Sequence, residues 1–164
     1  MERKEWIDRI FRIVIVVPNL KNALENWKQL VEFDVNSIEL KERNENDLCT
    51  YKGKVISCPV KCAAFDMGGV QMELVQPLSE EGPYAEFLKK SGSGIHHIGV
   101  YSSAADTWME KYEAMNRSPV FETLCNGEEV RLFDFSAETG LQLAVYDHME
   151  GPCTRLITER KAGG

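Results

Sequence analysis

Arg12-Ile-Val-Ile-Val-Val17 and His97-Ile-Gly-Val-Tyr-Ser102 are two strand-like segments that align position by position, and a helical pattern follows each of them. The apolar positions of the two helical patterns match at the same offset as the strands, which indicates that each helix has one buried face. These positions are Leu20, Leu24, Trp27 and Leu30 in the first pattern and Ala105, Met109, Tyr112 and Met115 in the second. The chain therefore contains an internal repeat that begins with a strand and an amphipathic helix.

A second pair of matching segments lies further along each copy. Gly69-Val-Gln-Met-Glu-Leu74 matches Gly140-Leu-Gln-Leu-Ala-Val145, and a strand-like run ending in Phe-Asp, at Asp66 or Asp134, precedes each. Both copies therefore end in a predicted hairpin. The offset of this pair is smaller than that of the first pair, which places about 14 extra residues in the polar region 41–61, for which we predict a long connection with a short strand inside it.

Each copy thus consists of a strand, a helix, a strand and a closing hairpin, which predicts an α+β fold of two β-α-β-β-β modules. The predicted strands lie near residues 10–17, 62–66, 70–76, 95–102, 129–135 and 140–146. The predicted organisation is a first module at 8–78, a linker at 79–94 with a short helix from Pro83 to about Lys90, a second module at 95–147 and a polar tail at 148–164.

The composition of the chain excludes several kinds of binding partner. The 164 residues carry 19 basic and 26 acidic side chains, a formal charge of −7, so we expect no binding to nucleic acid or to an anionic membrane. The longest apolar stretch, Ile13–Pro18, is too short for a bilayer span, and the first residues lack the apolar core of a secretory signal. Five cysteines without a disulfide framework favour thiols in a reducing cytosol. We therefore predict a cytoplasmic protein that binds neither nucleic acid nor a membrane.

The quoted segments resemble the vicinal oxygen chelate (glyoxalase/bleomycin resistance/dioxygenase) superfamily, and within it the methylmalonyl-CoA epimerase-like branch. The likeness rests on Ile13-Val-Ile-Val-Val-Pro-Asn-Leu20, Met72-Glu-Leu-Val-Gln-Pro-Leu78, Gly94-Ile-His-His-Ile-Gly99 and Gly140-Leu-Gln-Leu143, and it spans residues 8–147. It implies that the two modules share a half-open, cup-shaped mixed sheet with the functional site on its concave face. It also implies a homodimer.

Members of that superfamily hold one divalent metal with side chains at four positions of the concave face. The resemblance assigns these positions to Arg12, His97, Glu73 and Ala144. Arginine keeps its proton and has no lone pair for a metal, and alanine offers no donor. We therefore expect no metal cofactor; a metal, if bound, would have His97 and Glu73 as its ligands.

The resemblance implies an isomerase or lyase that acts through an enolate-type intermediate on an acyl thioester or an oxo acid. In this role Glu73 is the general base, Arg12 binds the developing oxyanion in place of the metal, and His97 is a second acid or base. Arg131 is the candidate for an additional contact with an anionic substrate. These four residues are the predicted site.

Other interpretations of the same residues stay open at this point. A buried ion pair between Arg12 and Glu73 would plug an inactive site, and His97 would then be a structural histidine. A second hypothesis, also implied by the resemblance, is a non-catalytic protein of the same fold that binds a small molecule, as the bleomycin-resistance proteins do. A third is a structural partner in a complex. His96 is expected on the opposite face of the strand from His97, in a packing role.

Overall fold

Ten strands and four helices make up the described part of the chain. The structure is a computed structural model and describes residues 7–32, 38–43, 48–125 and 128–146. The elements are β1 (Arg9–Val16), α1 (Leu20–Leu30), β2 (Glu39–Arg43), β3 (Leu48–Tyr51), β4 (Lys54–Ser57), β5 (Val60–Met67), β6 (Val70–Pro77), α2 (Pro83–Ser91), β7 (Gly94–Tyr101), α3 (Ala105–Ala114), β8 (Phe121–Cys125), β9 (Glu128–Phe135), α4 (Ser136–Thr139) and β10 (Leu141–Tyr146). The predicted tail at 148–164 lies outside the described residues.

A single mixed sheet contains both copies of the repeat. Its strand order is β2-β5-β6-β1-β7-β10-β9-β8-β3-β4. Strands β1 and β7 are antiparallel neighbours near the middle, and β1 pairs in parallel with β6 as β7 does with β10. The predicted α+β class, with two β-α-β-β-β modules that share one curled sheet, is confirmed.

The strand register reproduces both repeat offsets. Val14 pairs with Glu73 in the first copy, and Gly99 pairs with Ala144 in the second. Val14 and Gly99 are as far apart in the sequence as the two segments of the first matching pair. Glu73 and Ala144 are as far apart as the two segments of the second matching pair. Glu73 and Ala144 therefore occupy equivalent places in the two copies.

Each long helix packs on the convex face of its own module. Asn19 caps α1, because its side chain accepts a hydrogen bond of 3.0 Å from the Asn22 backbone N–H. Leu20 and Trp27 of α1 pack against Phe65 and its neighbours. Removing a large apolar side chain of this kind from water contributes about 1.5–3 kcal/mol. In the second copy α3 makes the corresponding contacts with β9 and β10 through Trp108 and Tyr112.

The apolar stripes of these helices are shorter than predicted, because their last predicted residues are exposed. Leu30 is 78% exposed and Met115 is 50% exposed. Both lie at the C-terminal ends of their helices, beyond Trp27 and Tyr112, the last stripe residues that pack on the sheet. No helix within the described ranges is long and apolar enough to cross a membrane.

The inserted region of the first copy is more regular than predicted. Besides β2, it forms the hairpin β3-β4, whose first strand pairs with β8 of the second copy, Thr50 opposite Glu122. Strand β2 ends at Arg43 and β3 begins at Leu48, although they belong to opposite ends of the sheet. The intervening residues 44–47 lie outside the described residues. Five peptide steps span at most about 17 Å, so the sheet must curl strongly.

Helix α2 begins at Pro83, as predicted, and lies on the opposite face of the sheet from α1 and α3. It contacts β1, β6 and β7. Its Tyr84 packs against Val14, Val60 and Val75. This concave face, which we call the cup, is therefore partly covered on the side of the first module.

Three cysteines line the inner wall of the cup. Cys49, Cys58 and Cys62 are buried, and none of them is in a disulfide. Cys49 and Cys58 belong to an apolar cluster with Phe121 and Tyr146.

Candidate functional site

Strand alternation determines which side chains of the first module face the cup. Val14 packs against the cup-side cluster, whereas Ile13 packs on the side of α1. Arg12, two residues before Val14, shares the cup with it. On the neighbouring strand β6, Gln71 and Glu73 pair with Arg12 and Val14 and therefore face the same way.

Two β-bulges, related by the repeat, add further side chains to the cup. The pairing of β1 with β7 skips Phe11 in one strand and His96 in the other. Each skipped residue shares a face with the residue that follows it, Arg12 or His97, because a bulge interrupts the alternation. The prediction that His96 points to the opposite face is therefore wrong.

Arg12 is the centre of the polar cluster in the cup and is only 3% exposed. Its Nε donates to Oε1 of Gln71 at 2.5 Å, and its Nη1 donates to the hydroxyl of Tyr146 at 2.8 Å. Nε also lies 3.5 Å from Oε2 of Glu73. The Phe11 ring is 5.1 Å from the guanidinium carbon. The expected Arg12–Glu73 ion pair is present, and oxygen acceptors and aromatic rings fix the guanidinium in place.

Gly99 makes room for this arginine. Gly99 pairs directly with Arg12 across β1 and β7. A Cβ atom at Gly99 would lie 2.9 Å from the Arg12 Cβ and 3.4 Å from the Tyr146 ring. Any larger residue would push Arg12 away from its acceptors.

His96 and His97 form a pair beside Arg12. Their Nδ1 atoms are 2.9 Å apart, so one ring donates a hydrogen bond to the other. The His96 ring also packs on Tyr84 and Phe87 of α2, with ring centroids 4.9 and 5.2 Å apart. Helix α2 thus holds the histidine pair against the floor of the cup.

Burial keeps both imidazoles neutral near pH 7. Desolvation lowers the pKa of His96 to about 4, although a hydrogen bond to the Pro83 carbonyl acts in the opposite direction. The pKa of His97 is lowered well below its usual value, by burial first and then by His96 and Arg12. A neutral imidazole can accept or donate a hydrogen bond, but it does not add positive charge to the cup.

Three of the four predicted site residues converge. Arg12 and His97 are diagonal neighbours in the β1-β7 register, a relation that places their Cα atoms about 7–8 Å apart. Glu73 contacts Arg12 directly. The structure thus brings Arg12, Glu73 and His97 together in one cup, whereas their roles stay predictions.

Arg131 does not join them. On β9 it lies between cross-strand partners Glu122 and Val145. Val145 packs on the α3 side of the sheet, whereas the next residue, Leu132, packs in the cup. Arg131 is therefore on the convex face, and the prediction that it contacts a substrate in the cup is wrong because β9 alternates without a bulge.

The four positions that the resemblance assigns to a divalent metal do not fit one. Arg12 brings a fixed positive charge, and Ala144 is fully buried among apolar side chains. Only His97 and Glu73 carry donors, and the Glu73 carboxylate lies beside the Arg12 guanidinium. The described ranges contain no group of three His, Cys, Asp or Glu residues placed to hold a metal ion. The Arg12 guanidinium lies within this donor set, beside the Glu73 carboxylate.

Sequence analysis missed several residues of the cluster. Gln71 and Tyr146 hold Arg12, Gly99 gives it space, and His96 contacts His97. Gln71 and Tyr146 could have been found, because each is two residues from a predicted site position, Glu73 or Ala144, and shares its face. The role of His96 could not have been found from the sequence, because the bulge depends on the register between two strands that are distant in the sequence.

An open cleft of about 240 Å³ borders the cluster at His96. It lies between α2, the β3-β4 turn and the second module. Its mouth carries Lys52 and Lys90 together with Glu86 and Asp134. The Tyr51 hydroxyl donates a hydrogen bond to the Glu86 carboxylate, which ties the inserted hairpin to α2. The remaining lining residues include Gln142, Val120 and Phe87.

Acidification should destabilise the fold through the histidine pair. The unfolded chain protonates its histidines below pH 6.5, whereas the folded chain does not protonate His96 until about pH 4. Stability is therefore complete above about pH 6.5 and decreases as the pH falls towards 4. For His96 alone we expect a loss of about 2 kcal/mol between pH 7 and pH 5. Urea unfolding curves at the two pH values measure it.

His96→Phe is the matched control, since Phe11 already occupies the equivalent bulge in the first copy. This variant keeps an aromatic ring against Tyr84 and removes the titrating group. It should lose clearly less stability than the wild type between pH 7 and pH 5. An equal loss in both proteins would contradict the assignment.

Comparison with known proteins places the chain in a family. The model of the Glyoxalase/Bleomycin resistance protein/Dioxygenase superfamily matches residues 11–134. Human mitochondrial methylmalonyl-CoA epimerase is 27% identical over 96 residues, 57% of this chain and 46% of that protein. The uncharacterized Bacillus subtilis protein YqjC is 46% identical over 39 residues, 24% of this chain and 28% of that protein. The chain thus spans less than half the length of these curated relatives.

The solved structure of methylmalonyl-CoA epimerase from Mycobacterium tuberculosis is similar in fold. It superposes with a TM-score of 0.59 at 18% sequence identity and covers 88% of this chain and 91% of its own. The family model itself matches most of the chain, from Phe11 in β1 to Asp134 in β9. The protein therefore belongs to the Glyoxalase/Bleomycin resistance protein/Dioxygenase superfamily.

Proposed function

We propose that this protein is an epimerase-like or isomerase-like enzyme that moves a proton at the carbon next to a carbonyl group, through an enolate, without a metal ion. The proposed substrates are acyl thioesters or oxo acids. The observation that carries the proposal is the position of Arg12, whose buried guanidinium lies 3.5 Å from the Glu73 carboxylate at the place assigned to the metal.

The proposed chemistry divides between these two residues. The Glu73 carboxylate takes the proton from carbon, and the electron pair moves into the carbonyl, which becomes an enolate. The Arg12 guanidinium stabilises the enolate oxygen by charge-assisted hydrogen bonds. Gln71 and Tyr146 support the proposal, because they hold Arg12 in one orientation before a substrate arrives.

His97 is proposed as a neutral hydrogen-bonding partner of the substrate or of the intermediate. Its low pKa, caused mainly by burial, argues against a charged imidazolium as the acid. The His96 ring fixes its orientation from the other side. This arrangement leaves the permanent positive charge of the site on Arg12 alone.

Hydrogen–deuterium exchange is the most direct test. The protein is incubated in deuterated buffer with each epimer of methylmalonyl-CoA, with other 2-substituted acyl-CoA esters and with 2-oxo acids. We expect mass spectrometry to show deuterium at the carbon next to the carbonyl for at least one of these compounds, equally with and without a chelator. Exchange that disappears with chelator would refute metal-free chemistry, and absence of exchange throughout would refute the enzymatic proposal.

A binding protein of the same family is the second candidate. It is favoured by the ion pair that already satisfies Arg12 and Glu73 and by the fully buried Ala144, where the superfamily has its last ligand. Such a protein would be stabilised by its ligand, by about 2.7 kcal/mol at a concentration of 100 Kd, without any exchange. The homodimer and the cytoplasmic location stay predictions.

A further inference from the structure

Cys49 and Cys58 bring their sulfur atoms together in the cup, and the cluster around Arg12 gives them no role. The two Sγ atoms are 2.7 Å apart, and both thiols are buried. A disulfide bond is about 2.05 Å long, so a movement of about 0.7 Å would bring the two sulfur atoms to bonding distance. The two cysteines are therefore already arranged as a dithiol that can be oxidised.

The positions of the two cysteines in the chain explain this approach. Cys49 lies in β3 and pairs with Ile56 of β4. Cys58 is two residues further along, so the two cysteines are diagonal neighbours, a relation that is slightly long for a disulfide when both residues lie in regular strands. Because β4 ends at Ser57, Cys58 lies beyond the paired residues of the hairpin, and its backbone can turn its side chain towards Cys49.

A bond between these cysteines would cross the place where the curled sheet closes. Cys49 pairs with Thr123 of β8, towards the end of the sheet that contains the second module. Cys58 belongs to the short connection from β4 to β5, which leads to the other end of the sheet. It also lies beneath the start of α2, because a Cβ atom at Gly82 would be 3.0 Å from the Cys58 Cβ. The bond would therefore tie the two ends of the sheet together beside α2.

The third buried cysteine, Cys62, provides an internal comparison. It packs beneath Tyr84 in one apolar cluster, whereas Cys49 and Cys58 belong to the cluster around Tyr146. We therefore expect an oxidant to link Cys49 with Cys58 and to leave Cys62 out of the bond.

We propose that Cys49 and Cys58 form a redox-sensitive site, at which a hydroperoxide converts the two thiols into a disulfide that fastens the curled sheet. One cysteine, after losing its proton, attacks an oxygen atom of hydrogen peroxide, which gives a sulfenic acid and one water molecule. The other thiol displaces the hydroxyl group of the sulfenic acid as a second water molecule, and the S–S bond forms. The two cysteines lose two electrons, which the peroxide takes up. A dithiol reductant restores both thiols.

Burial determines which oxidants reach this site. Cys49 is 3% exposed and Cys58 is 6% exposed, so a small uncharged molecule such as hydrogen peroxide can approach more easily than a bulky disulfide. The site is independent of the proton transfer proposed for Glu73 and Arg12.

Peptide mapping of the full-length protein after treatment with hydrogen peroxide tests the site. Remaining free thiols are alkylated before digestion. Trypsin cuts after Lys52 and Lys54, so Cys49 and Cys58 fall into the separate peptides 44–52 and 55–61, and Cys62 falls into a third. In the folded protein we expect peptides 44–52 and 55–61 to be linked, with two hydrogen atoms fewer than their sum. The link should disappear after treatment with dithiothreitol.

The same bond should raise the melting temperature. A closed loop of about ten residues restricts the unfolded chain, so the oxidised protein should melt about 5–10 °C above the reduced protein. In Cys49→Ala, peroxide should produce neither the link nor this increase. Cys62→Ala is the matched control, the same change at the buried cysteine of β5, and it should keep both. The mapping of the wild type decides the question even if a variant fails to fold.

Two results would overturn the inference. Peptides 44–52 and 55–61 that stay separate in the folded protein, or that become linked only in urea, would mean that the two thiols do not react with each other in the native structure. A melting temperature that stays the same or falls when the link forms would mean that the bond does not fasten the sheet.

Discussion

Glu73→Gln should lower the rate of proton transfer by about 10²–10⁴-fold while leaving the sheet intact. The amide retains the shape and the hydrogen-bonding capacity of the side chain, but it cannot take a proton from carbon. Arg12 still has Gln71 and Tyr146 as acceptors, so the fold should survive with a loss of about 1–3 kcal/mol, the cost of removing the ion-pair partner of the buried guanidinium. Exchange kinetics and urea unfolding measure the two effects on the same sample.

The matched control is Asp66→Asn, the same chemical change at an exposed residue on the neighbouring strand β5. It should leave the rate of exchange unchanged. If Glu73→Gln instead keeps its exchange rate and loses only stability, then Glu73 is the partner of Arg12 and not a base. That outcome would favour the binding protein over the enzyme.

Much of the fold follows from local periodicity. The strands around Arg12, Glu73 and His97 were predictable because each alternates or is continuously apolar over several residues, and the repeat supplied an internal check on each prediction. Helix α2 was predictable from Pro83 at its first position. The prediction of the apolar stripe was wrong at the C-terminal ends of the helices, at Leu30 and Met115, where packing on the sheet, and not periodicity, determines burial.

The features that were missed depend on pairing between distant strands. The hairpin β3-β4 has a local signal, because Lys52-Gly53 forms a turn in which both residues have positive φ and which suits a two-residue loop. Its attachment to β8 has no local signal, since that contact joins the two copies. Pairing likewise creates the bulge at His96.

For the site itself, the type of a residue predicts the face on which its side chain lies less well than the strand register does. Arg131 was selected for its charge, yet its alternation with Leu132 places it on the convex face. The candidate site is thus a property of the sheet register as much as of its residue types.

Arg12→His should convert the cup into a metal site. The change restores an imidazole at the first superfamily position, beside His97 and Glu73, and three protein ligands with water satisfy a catalytic type of zinc or cobalt site. His97 is prepared for this role, because its Nδ1 is already engaged by His96, which leaves the other ring nitrogen for a metal. We expect the affinity for Zn²⁺, Co²⁺ or Ni²⁺ to increase on the order of 100-fold over the wild type, as measured by isothermal titration calorimetry.

The control for this change is Arg12→Gln, which also removes the guanidinium but adds no strong metal ligand. It should lose stability to a similar degree, because both variants leave Gln71 and Tyr146 without their donor, yet it should bind metal no better than the wild type. Circular dichroism establishes that both variants are folded. Negligible metal binding by a folded Arg12→His protein would mean that Arg12 does not occupy the position of the metal ligand. The proposal that its guanidinium replaces the cation, and with it the metal-free mechanism, would then have to be abandoned.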